Sequence, residues 1–220
     1  MGMFCYQCEQ AARGIGCAVT GVCGKDAVNS ALQDVLVHAT KGLAMYAHRA
    51  RGLGVKDAET DRFVLEALFT TVTNVNFDPE RVREFIVRAV SLRDKAKARY
   101  EEACKKKGRT PEKLSGPAAF VPAGDPNGLV RQGEDIGIAK RRQVWGDDVT
   151  GLEELLTYGL KGTAAYADHA LVLGVESDEV YAFFHEALDF LTKTPHQAGD
   201  LLAWNLRCGE FNLKVMEMLD

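Results

Sequence analysis

The chain has 220 residues, 46% of them hydrophobic and 26% charged, enough for one large domain or two small ones that fold without covalent staples. A formal net charge of −4 gives no electrostatic basis for binding nucleic acid or an acidic membrane. No apolar run approaches the ~18 residues of a membrane span.

The first 28 residues form a Cys-rich segment. Cys5, Cys8, Cys17 and Cys23 make a C-x2-C-x8-C-x5-C pattern. C-x2-C lets two sulfurs of one turn reach one centre, and a loop must fold back to bring the other two. Gly14, Gly16, Gly21 and Gly24 supply such a loop, because glycine accepts backbone angles that other residues resist. Thiolate sulfur suits zinc and iron–sulfur clusters. Zinc ribbons usually pair two short knuckles across a longer spacer. The compact set here leans toward an iron–sulfur cluster, with zinc, disulfides or independent thiols as alternatives. No charged-then-apolar leader precedes the cysteines, and Tyr6 breaks the myristoylation pattern after Gly2. The expected compartment is the cytoplasm, where clustered cysteines point to metal or redox function more than to disulfides.

Downstream the chain repeats itself at a separation of 120 residues. Ala31–Val55 aligns without gaps on Gly151–Val175, pairing Lys41 with Lys161, Gly42 with Gly162 and Tyr46 with Tyr166. The register persists to Glu66-Ala67-Leu68 against Glu186-Ala187-Leu188, which reads as an internal duplication. Each copy predicts three helices. The first opens at a capping box, Ser30-x-x-Gln33 or Thr150-x-x-Glu153. It carries an apolar stripe (Leu32, Val35, Leu36, Ala39, Leu43) and stops at Gly54 or Gly174. A second helix is expected over 57–75 and 177–192. The third is expected after Asp78-Pro79 and Thr194-Pro195, where an N-cap precedes proline. On this reading the separation drops to 116, and the first copy has about one extra turn in its second helix. The third helix of copy one ends near Lys107-Gly108.

Residues 109–148 hold four of the six prolines and read as a linker or a long ordered excursion. The expected organisation is therefore all-α. It has a Cys-rich loop (1–28), a first antiparallel three-helix bundle (29–108), a Pro/Gly-rich connection (109–148) and a second three-helix bundle (149–220).

The remaining chemistry-bearing residues have plainer readings. Cys208 falls on an apolar position and reads as a buried inert thiol. Cys104, among Glu101, Glu102 and lysines, reads as a partly exposed spectator. His38, His48, His169, His185 and His196 form no Glu-x-x-His motif and read as structural or surface residues. Glu66 and Glu186 read as helix-surface or packing residues. Lys105-Lys106-Lys107 reads as a solvated helix end. No catalytic residue is assigned.

Residues 3–26, MFCYQCEQAARGIGCAVTGVCGKD, closely resemble the N-terminus of the hybrid cluster proteins, also called prismane proteins or hydroxylamine reductases. TYGLKGTAAYADHA (157–170) and NLRCGEFNLKVM (205–216) are similar to the same family's helical domain, so the resemblance covers essentially the whole chain. It implies a class whose N-terminal cluster is a [4Fe-4S] cubane with Cys5, Cys8, Cys17 and Cys23 as its ligands. It also implies an N-terminal domain of two three-helix bundles. Two further domains would carry a hybrid iron–sulfur–oxygen cluster that reduces hydroxylamine or nitric oxide. No position here matches those later ligands. The expectation is an electron-relay domain, inactive alone in hydroxylamine reduction. Its partners would be an electron-donor protein and the hybrid-cluster domains, with a homodimer as a further option. The alternative is a structural module in which zinc or a cluster pins the loop for assembly with a partner.

Overall fold

The computed structural model describes residues 2–220. Eight α-helices follow one another: α1 (Ala27–Gly52), α2 (Ala58–Phe69), α3 (Pro79–Lys106), α4 (Pro126–Ile136), α5 (Ile138–Trp145), α6 (Asp147–Val172), α7 (Asp178–Phe190) and α8 (Ala198–Glu217). Among the described residues the only extended pairing is an isolated antiparallel bridge between Cys5 and Cys17. The protein is all-α behind a Cys-rich N-terminus, as expected. No helix among the described residues is long and apolar enough to cross a membrane.

The helix ends test the expected caps. Both first helices stop as the glycines require. Gly54 and Gly174 adopt φ of 86° and 84°, and the Val55 and Val175 amides donate back to the Ala50 and Ala170 carbonyls at 2.9 Å. This is the left-handed stop that glycine makes cheaply. The expected starts are corrected. The N-cap of α1 is Asp26, whose carboxylate accepts from the Asn29 amide at 2.7 Å, and Ser30 lies inside the helix. Asp26 caps as well as Ser30 would, and the chain gains a further turn. α6 likewise starts after Gly146, with Asp147 and Asp148 on its positive end, and Thr150 is interior.

The extra turn expected in the second helix of copy one is absent, since α2 has 12 residues and α7 has 13. Nor does α8 begin at Pro195. The chain first carries His196 inward, its ring 4.5 Å from that of Phe190, and the helix starts at Ala198. The two third helices are therefore matched at a separation of 119, not 116. Arg88 of α3 pairs with Glu66 of α2 at 2.9 Å, and Arg207 of α8 pairs with Glu186 of α7 at 2.6 Å. Glu66 and Glu186 thus have the packing role expected of them, repeated in both copies.

The core does not divide along the repeats. α1 packs on α3 and, more than on α2, on α7; α6 packs on α8 and on α2. Each repeat lends its second helix to the other, and Leu36, Leu43, Phe63, Leu156, Leu160 and Phe183 belong to one apolar cluster. Asp61 of α2 seals the exchange by bonding His185 of α7 at 2.7 Å, with both side chains buried, while also pairing with Arg51 of α1.

The connection is an ordered excursion carrying α4, α5 and a short 3-10 turn over Gly116–Ala119. It lies on α1 so closely that a Cβ at Gly42 would collide with the Pro117 carbonyl oxygen. Cys208 is buried as expected, its thiol pushed up to about 11 by burial. Cys104 is buried too, which corrects the exposed reading. Tyr100 and Ala103 continue the inward stripe of α3 to its last turn, and Cys104 falls on it.

Candidate metal centre

The Cys-rich loop lies against the turn that follows α2. Cys5 and Cys17 exchange both backbone hydrogen bonds, at 3.0 and 2.8 Å, which sets the first and third cysteines side by side. Reversing the chain between them takes Arg13 and Gly14 at positive φ, then Gly16 at φ 134°. Any side chain at Gly16 would stand 2.7 Å from the Phe4 ring. The loop returns with Gly21, whose amide donates to the Lys25 carbonyl at 2.7 Å. A Cβ at Gly21 would come 3.1 Å from Cys23 Sγ.

This folding brings together all four cysteines expected to form the site. Cys5, Cys8, Cys17 and Cys23 line one small cavity of about 20 Å³ with Gln7 and Thr73. Cys17 is buried, Cys5 and Cys8 are half-buried, and Cys23 is exposed. All four are free thiols, as are Cys104 and Cys208, which do not line this cavity. Among the described residues, no three His, Cys, Asp or Glu side chains stand close enough to grip a single ion. The donor chemistry does fit a thiolate-held centre. All four cysteines line one space, and the Ala12 amide donates to Cys17 Sγ at 3.3 Å, the type of bond that stabilises charge on a ligating sulfur.

Two contacts that the spacing did not reveal anchor the loop. Gln7 Nε2 donates to Thr73 Oγ1 at 3.2 Å, and Lys161 Nζ of α6 donates to Gln7 Oε1 at 3.1 Å. The only sequence signal for them was the recurrence of Lys161 at Lys41. Tyr6 adds an edge contact to Tyr158, ring centroids 5.6 Å apart.

Comparison with known proteins places this arrangement. The sequence profile of the Prismane/CO dehydrogenase family matches residues 3–220. The chain belongs to the prismane/CO dehydrogenase family. It is 52% identical over 218 residues to a hydroxylamine reductase of Rhodospirillum rubrum and 50% identical over 222 residues to one of Acidithiobacillus ferrooxidans. A hydroxylamine reductase of Geobacter metallireducens is 48% identical over 222 residues. Each alignment takes in 99% or more of this chain but 40% of the relative. The prismane-family chain thus spans about two fifths of the length of the curated relatives it matches. The family makes an iron–sulfur centre the natural occupant of a four-cysteine loop.

Proposed function

We propose that this chain is the cluster-binding, electron-relay part of a hydroxylamine reductase, with Cys5, Cys8, Cys17 and Cys23 holding a [4Fe-4S] cluster. The observation that carries the reading is the common cavity lined by all four cysteines. A centre held by four protein thiolates keeps no open iron position for substrate, so it would supply one-electron chemistry only.

The chain's own residues would position and tune it. The Cys5–Cys17 pairing fixes two ligands. The Ala12 amide would raise the reduction potential through its bond to sulfur. The exposed Cys23 leaves one edge within reach of an external donor protein. Reduction of hydroxylamine belongs, on this reading, to the further domains present in the longer relatives, and the 220-residue chain alone does not catalyse it.

The test is iron, zinc and acid-labile sulfide per chain in anaerobically purified protein, with the visible spectrum before and after dithionite. About four irons and four sulfides, with a charge-transfer band that bleaches on reduction, are expected. One zinc and no colour would instead make the loop a structural module.

A further inference from the structure

A larger cavity, of about 370 Å³, opens among α1, α5 and α6. Its lining pairs the two repeats. Asp34 and Lys41 of α1 occupy the positions of Glu154 and Lys161 of α6, and all four face this space. The interleaving of the helices has turned one stretch of each copy toward a shared cleft.

The charged groups are not equally engaged. Arg141 of α5 donates to Glu154 at 2.5 Å and to Glu153 at 3.4 Å, so those carboxylates have their cation. Lys161 hydrogen-bonds only the neutral amide of Gln7 and lies 5.8 Å from the centre of the Tyr158 ring. Lys41 and Asp34 feel their neighbours through space, with no hydrogen bond to either. Lys161 is buried and Lys41 half-buried; an ammonium withdrawn from water with no hydrogen-bonded counter-ion is unfavourable, yet both copies place one here.

We propose that the cleft binds a small oxyanion between the ammonium groups of Lys41 and Lys161, with Asp34 taking up a proton as the anion enters. The charge balance of the lining favours that proton. Among the lining groups Lys41, Lys161 and Arg141 stand against Asp34, Glu153 and Glu154, so an added anion leaves one negative charge in excess there, with the buried Lys25 outside the lining. Asp34 is the group able to give it up. Burial and then Glu154 push its carboxyl up to about 6, against the pull of Arg141, Lys161 and Lys25. His38, also facing the cleft, is pushed down to about 4 by burial, Lys41 and Arg141 and is neutral near pH 6. The exposed Asp135 and Lys140 offset each other at the mouth. The ligand chemistry is a carboxylate or a phosphate-like monoanion, with at least two oxygens sharing one charge.

The experiment is calorimetric titration of the cluster-loaded chain with sodium acetate and with sodium phosphate, chloride holding the ionic strength. One saturable site per chain is expected. Affinity should fall about tenfold or more in Lys41→Met and in Lys161→Met. Each replaces an ammonium that has no hydrogen-bonded counter-ion by an apolar side chain, and an unchanged circular dichroism spectrum keeps the comparison valid. In buffers of different ionisation enthalpy the wild-type chain should take up close to one proton per acetate, and Asp34→Asn should take up none. No saturation beyond chloride, or unaltered affinity in both lysine variants, would overturn the site. Proton uptake that survives in Asp34→Asn would overturn the role of Asp34.

Discussion

Lys161 donates to the side-chain carbonyl of Gln7, and Gln7 donates onward to Thr73. A residue lying between the first two cysteines is thereby tied to α6 in one repeat and to the turn after α2 in the other. The loop is braced by both repeats as well as by its own short-range hydrogen bonds.

Gln7→Leu removes both bonds and leaves the Lys161 amine without its partner, a cost of about 1–3 kcal/mol. Amide hydrogen exchange should show faster exchange at Cys5 and Cys17, whose amides form the bridge, with α3 unchanged. Equal protection in the variant would mean the brace contributes nothing.

Serine at any one of Cys5, Cys8, Cys17 or Cys23 should cut bound iron from about four per chain to less than one. The same change at Cys104 should leave iron content intact, because Cys104 is buried on α3 away from the loop. Iron and sulfide analysis reads both outcomes.

Gly42 and Gly162 are the same residue in the two repeats, yet alanine should act on them with opposite sign. At Gly42 the new methyl meets the Pro117 carbonyl, and overpacking of this kind costs about 1–3 kcal/mol. Nothing lies within 4 Å of a Cβ at Gly162. Alanine in mid-helix there should add roughly 0.5–1 kcal/mol. Urea midpoints of the two variants decide it.

Asp61→Ala should cost about 1–3 kcal/mol, because it leaves His185 unpaired in the core and takes from Arg51 one of its two carboxylate partners, Asp178 remaining. Denaturant unfolding checks this. A loss below about 1 kcal/mol would mean that the exchanged helices are held by apolar packing alone.

Lys41 gives a dependence on pH. Burial, with Arg141 adding to it, brings its amine down from 10.5 to about 8. Between those values the unfolded chain holds a proton that the folded chain has released, so stability rises with pH across that window. Below pH 8 the penalty is fully present. It is on the order of 2 kcal/mol, since water in the cleft softens it. Lys41→Met should be more stable at neutral pH and should flatten that part of the profile in thermal melts followed from pH 7 to 11.

The duplication, the glycine stops and the cysteine set were legible because each rests on local pattern. Gly54 and Gly174 end their helices by a backbone angle that no neighbour has to supply. The starts were misread because Asp26 and Ser30 are both competent caps, and only packing selects the longer helix. α4 and α5 were hidden by the glycines and prolines around them. An amphipathic stripe says that a face is buried but not against which helix, so the exchange of α2 and α7 left no mark in the sequence. The cleft was masked differently. Asp34 and Lys41 look like gaps in an apolar stripe until they are set beside Glu154 and Lys161.

Interleaved repeats make this chain equivalent to a domain-swapped pair whose two members have been joined head to tail. A single copy, with its second helix lent out, would leave the grooves of α1 and α3 uncovered and could close its core only around another copy. Two copies in one chain make that encounter intramolecular and independent of concentration. Neither half is then a self-sufficient folding unit. A cut in the exposed stretch before α4 should yield two fragments that remain disordered apart and recover helicity only when mixed.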